Sequence, residues 1–137
     1  LQSQMSSCPS SISQAAAAAA LVGDQSSIEA CVAAYKQRRD HAVEMINAIP
    51  ELSCLSPDGA FYLFPSCAGV IGKTTPDGKV IENDLDFVLY LLDGVGVASV
   101  HGAAYGVEPH FRISTATSMQ TIEAACDRIA QACAALT

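Results

Sequence analysis

The stretch EPHFRIS, residues 108 to 114, sets an arginine in the middle of what reads as a β-strand. Alternation puts Phe111 and Ile113 on one face and His110, Arg112 and Ser114 on the other. From its pattern alone such an arginine is a solvated outer-face residue. His101 and His110 bracket the glycine-containing loop just before it, but two histidines at that spacing do not make a site. His41 lies among the charges of the RRD stretch and reads as a surface residue.

Other candidate chemistries fail on spacing. CAGVIGKTT ends like a phosphate-binding loop, yet position 67, where the first glycine belongs, is Cys, and Lys73 leads into a turn instead of a helix. No G-x-S-x-G nucleophile motif occurs, and the histidines lack carboxylate partners at metal-ligand spacing. The six cysteines, Cys8, Cys31, Cys54, Cys67, Cys126 and Cys133, form no CxxC pair. Four of them fall in apolar patterns, as reduced thiols acting as small core residues of a cytoplasmic-type protein would.

The elements that must position Arg112 follow from periodicity and punctuation. Ser10 or Ser11 is placed to cap a helix through the alanines to Gly23. Ser26-Ser27 with Glu29 opens a longer helix over 28–49, whose Ile28, Cys31, Val32, Tyr35, Ala42, Met45, Ile46 and Ile49 share a face until Pro50 stops it. LSCLSPDGAFYLFP reads as strand, Pro-Asp-Gly turn, strand. Residues 66 to 83 form a long excursion of the functional or mobile kind. Asn83 or Asp84 caps a third helix ending at Gly94 or Gly96; Val97 to Val100 is a short apolar strand; after the 108–114 strand a last helix runs from 119 to 136. The order α, α, β, β, α, β, β, α predicts a two-layer α+β fold, with helices packed on one face of a small mixed or antiparallel sheet, in a single domain over residues 1–137.

Composition narrows the partners. Half of the 137 residues are hydrophobic and 15% are charged, which argues against disorder. A net charge of −7 repels phosphate backbones and argues against nucleic acid. The apolar run from Ala15 to Val22 is far short of the ~20 residues a membrane helix needs. No basic residue precedes that run as in a signal peptide. The run has no polar side of its own, so it is expected to leave an apolar surface if nothing covers it.

Four stretches in order carry a family resemblance: SSISQ from Ser10, YKQRRD from Tyr35, PDGAFYLFP from Pro57 and FRIS from Phe111. Together they resemble the C-terminal part of class I, pyridoxal-phosphate-dependent aspartate-type aminotransferases, over essentially the whole chain. The resemblance implies that Arg112 grips the α-carboxylate of an amino-acid or 2-oxo-acid substrate, and that the GAFY turn brings Phe61, with Tyr62 beside it, toward the cofactor and substrate side. Phe61 read from pattern alone is equally a core aromatic. His101 stands where the family's segment commonly has a proline, and Cys8 where a polar residue is common before Pro9.

The family's Schiff-base lysine sits in a Ser-Lys motif that this sequence lacks; Lys36, Lys73 and Lys79 stand in other contexts. The resemblance therefore implies a small C-terminal domain whose large domain holds the cofactor, within a homodimeric parent, and a chain that by itself anchors no pyridoxal phosphate. The rival expectation is a free-standing α+β binding or interaction module with the same fold and no chemistry.

Overall fold

The computed structural model describes residues 2–5 and 8–137. The chain divides into two compact units, Leu1–Ala33 and Ala34–Thr137.

The first unit holds α1 (Gln2–Met5), α2 (Ser11–Val22) and the opening turns of α3 (Ser26–Asn47). Helix α2 has no buried residue, and Ile12, Leu21 and Val22 are at least 80% exposed. The start of α2 differs from the expected cap: Ser10 stands at the N-cap position without a side-chain hydrogen bond, and only its carbonyl accepts the Gln14 N–H. The entry to α3 is made by Asp24 instead of the serines. Its carboxylate accepts both the Ser26 backbone N–H, at 2.9 Å, and the Ser26 hydroxyl, at 2.7 Å. These two bonds hold the Asp24 carboxyl below its usual range, the backbone bond being the larger cause.

In the second unit, α3 buries Ala42 and Ile46; the Ile28, Cys31 and Val32 positions of the expected stripe belong to the first unit and are exposed. The chain continues through β1 (Tyr62–Leu63), α4 (Asp84–Val95), β2 (Val100–His101), β3 (Phe111–Ser114) and α5 (Met119–Ala134). The three strands form an antiparallel sheet in the order β1-β3-β2, so the arginine-bearing strand is central. Leu63 pairs with Ile113 and Tyr62 with Ser114 on one side; Val100 pairs with Arg112 and His101 with Phe111 on the other.

The fold is the expected α+β arrangement, with the sheet antiparallel throughout. Phe111 and Leu63 enter a core shared with Phe87, Val88 and Leu91 of α4 and with Ile122, Cys126, Ile129 and Cys133 of α5. Phe87 meets Phe111 edge to face at 5.3 Å, a favoured aromatic geometry. The hydroxyl of Tyr90 on α4 donates to the Ala132 carbonyl of α5, tying the two helices together.

Two expectations fail here for local reasons. The segment 51–55 contributes only a single bridge, Ser53 to Ser66, instead of a strand. Asn47 at the end of α3 accepts the Cys54 N–H at 2.7 Å and donates to the Cys54 carbonyl at 3.0 Å, so a side chain has taken the groups a ladder would use. The excursion over 66–83 is fastened at many points. Gly72 N–H donates to the Ile81 carbonyl and Ile81 N–H to the Lys73 carbonyl, Thr75 N–H donates to the Lys79 carbonyl, and Thr74 and Thr137 exchange two backbone hydrogen bonds at 2.8 and 3.0 Å.

Candidate functional site

Arg112 lies on the open face of the sheet, away from Phe111 and Leu63. Its guanidinium carbon is 4.3 Å from the ring centroid of Tyr62 and 4.8 Å from that of Tyr105. One ring comes from β1 and the other from the 3₁₀ turn Gly102–Tyr105 that follows β2, so the strands on either side of β3 each supply one. Both distances are within reach of attraction between a cation and an aromatic face. Among the described residues Arg112 has neither a salt bridge nor a side-chain hydrogen bond. The charge is therefore held by ring faces, and its in-plane N–H donors are left for something else.

The aromatic surround extends in both directions. Phe64 meets Tyr105 edge-on at 6.0 Å and stacks on the His110 ring at 5.5 Å. Phe61 lies 4.6 Å from Tyr62 and 6.3 Å from Tyr35. A groove of about 740 Å³ runs along Tyr62, Phe64, Ser66 and His110 toward Asn47 and Cys54. Buried Nδ1 of His110 has no hydrogen-bond partner among the described residues.

Phe61 is 42% exposed, so it is not one of the core aromatics. Its position is set by its neighbours. Ala60, just before it, adopts a left-handed φ of +62°, an unfavourable conformation for a residue with a Cβ. Buried Thr115 then clasps the Phe61 carbonyl through its N–H at 2.8 Å and its hydroxyl at 3.2 Å.

The Gly102–Tyr105 turn is closely fitted. Gly102 N–H donates to the His110 carbonyl at 2.7 Å, and a Cβ on Gly102 would fall 2.1 Å from the Val107 carbonyl oxygen, so only glycine fits. Gly106, at φ +74°, closes the turn.

The remaining candidates are occupied elsewhere. Lys73 is bonded to Glu51 at 2.9 Å, and this bond holds the Glu51 carboxyl below its usual range. The amides of residues 72 to 75 are all spent on internal carbonyls, so the GKTT stretch offers no phosphate cradle. His41 faces Glu123 at 3.2 Å and is partly exposed, as a surface residue should be. Cys54, Cys67, Cys126 and Cys133 are buried and free; Cys8 and Cys31 are exposed and free. Burial pushes the Cys67 and Cys133 thiols up to about 12 and the Cys126 thiol to about 11, as inert packing groups rather than nucleophiles. Among the described residues no cluster suited to a metal ion occurs, and no helix is long and apolar enough to cross a membrane.

Tyr105 and Asp84 are the neighbours of Arg112 and its surround that the sequence did not single out. Strand alternation places Tyr62 on the Arg112 face, but the approach of Tyr105 depends on how the 102–106 loop folds back.

The family model for aminotransferase class I and II matches residues 1–129. The chain belongs to this family. As an aminotransferase-family chain it is 53% identical over 133 residues to the aspartate aminotransferase of Rhizobium meliloti strain 1021, covering 97% of this chain and 32% of that protein. It is 50% identical over 135 residues to the probable aspartate/prephenate aminotransferase of Rhizobium leguminosarum bv. phaseoli, covering 98% and 34%. It therefore spans about a third of the length of the curated relatives it matches. The crystal structure of the Rhizobium meliloti aspartate aminotransferase superposes with a TM-score of 0.95 at 51% identity, over 99% of this chain and 34% of that one. The alanine aminotransferase of Pyrococcus furiosus gives a TM-score of 0.79 at 32% identity, over 90% and 30%.

Proposed function

We propose that this chain is the C-terminal small-domain part of a pyridoxal-phosphate-dependent aminotransferase of the aspartate type, which exchanges an amino group between an amino acid and a 2-oxo acid. In this reading Arg112 binds the substrate α-carboxylate, and Phe61 borders the same side. The observation that carries it is the state of Arg112: partly buried, flanked by two tyrosine rings, and without an acidic partner among the described residues. Holding an unpaired charge this way is costly unless a ligand completes it. A carboxylate does so with two parallel, charge-assisted hydrogen bonds, which fix the substrate's rotation as well as its position.

The residues of this chain do not fit the cofactor's covalent anchor. Lys36 is exposed on α3, Lys73 is engaged by Glu51, Lys79 lies beside Asp77, and none of them lines the groove next to Tyr62. Pyridoxal phosphate falls in this reading to a large domain outside this sequence, and no chemical step is assigned to the lysines here. The test is Arg112→Lys in the full-length enzyme. KM for both amino-acid and 2-oxo-acid substrates should rise and kcat/KM fall, by an amount equivalent to about 2 to 5 kcal/mol in transition-state binding. Unchanged kinetics would return Arg112 to the role of a solvated strand residue.

A further inference from the structure

Helix α4 begins with two short polar residues, and they have different tasks. Asn83 caps the helix, its side-chain oxygen accepting the Asp86 N–H at 3.0 Å. Asp84, the next residue, is only 1% exposed and is not needed for the cap. Its Oδ2 accepts the backbone N–H of Ala103 at 3.0 Å, in the turn that carries Tyr105. Its Oδ1 has no hydrogen-bond partner among the described residues, and none of the ion pairs there involves Asp84. A carboxyl group this deeply buried for a single backbone bond is expensive. The start of α4 offsets part of that cost by favouring negative charge.

The bond reaches the guanidinium in two steps. Asp84 fixes Ala103; the turn from Gly102, which has no room for a side chain, to left-handed Gly106 is short and closed; and Tyr105 at its end rests against Arg112. With Tyr62 on the other flank, the ring faces restrain the guanidinium, and its donors project from its edge.

We infer that Tyr105, anchored through the buried carboxylate of Asp84, is a positioning residue that orients Arg112 for edge-on capture of a carboxylate ligand. This rests on the carboxylate-binding role proposed above for Arg112.

The test is steady-state kinetics of the full-length enzyme with an amino-acid and a 2-oxo-acid substrate. Tyr105→Leu should raise KM for both by about 3- to 30-fold, the range expected for losing one cation–aromatic contact, with kcat changing far less. Tyr105→Phe, which keeps the ring face, should recover most of that loss. Asp84→Ala should reproduce the KM defect of Tyr105→Leu, Asp84→Asn should rescue it by retaining an acceptor for Ala103, and the Asp84→Ala/Tyr105→Leu pair should be no worse than either change alone. Additive losses in the pair would overturn the link from Asp84 to Tyr105. Unchanged KM in Tyr105→Leu, alongside an impaired Arg112→Lys, would overturn the positioning role while leaving the carboxylate reading intact; an unimpaired Arg112→Lys would overturn both. Tyr105 is half exposed, so its replacement tests the proposal even if Asp84→Ala does not fold.

Discussion

Along β3, Phe111 is fully buried against Phe87, whereas Arg112, the next residue, faces two tyrosine rings on the open side of the sheet. Both depend on the same backbone, since Phe111 pairs with His101 and Arg112 with Val100 in one ladder. A central strand can thus commit its odd-numbered residues to packing and leave its even-numbered ones on an open aromatic face. A substitution can then damage one face while sparing the other, provided the register holds.

The most severe way to break that division is Phe111→Ala. Removing a fully buried aromatic from the middle of the core should cost about 3 to 5 kcal/mol, read as a lowered midpoint in urea denaturation of the chain. A loss below 1 kcal/mol would mean that the core face is not where the stability resides. Thr115→Val probes the junction between the faces. It keeps the buried shape and the backbone bond but removes the hydroxyl that donates to the Phe61 carbonyl, so it should cost about 1 kcal/mol. No change in denaturation midpoint would show that the backbone bond alone holds the turn. Ala60→Gly should have the smallest effect. Relief of the left-handed strain, roughly 1 to 2 kcal/mol, is opposed by roughly 0.5 to 1 kcal/mol of added chain entropy, leaving a slight gain in thermal stability. A clear loss would show that the turn draws something from the alanine methyl group.

The parts legible from the sequence are those in which one side chain's pattern decides the outcome. α5 was readable because Ile122, Cys126, Ile129 and Cys133 recur at helical spacing and all four are buried; Asn83 was one of two readable caps for α4, and Gly96, at φ +67°, ends it as a C-terminal glycine should. Alternation set Arg112 on the face opposite Phe111, as the ladder has it, whereas its proposed role came only from the family stretches around it. What escaped depended on contacts between segments distant in sequence. Asn47 reaches seven residues along to take both backbone groups of Cys54, which erases the expected first strand. Asp84 looked like an alternative cap, and only its bond to Ala103, nineteen residues on, gives it a different task. The stripe along α3 misled because periodicity shows which residues share a face but not where along the helix that face is covered.

The pair of backbone bonds between Thr74 and Thr137 has a consequence for how the second unit opens. Each residue gives its amide proton to the other's carbonyl, so neither amide can exchange with solvent while the clasp is closed. Lifting the 66–83 excursion must release Thr137, and fraying of the final turn after α5 must loosen the excursion. The two ends of this link, 63 positions apart in the numbering of Thr74 and Thr137, are therefore expected to open together, read as matched hydrogen-exchange protection of their two amides.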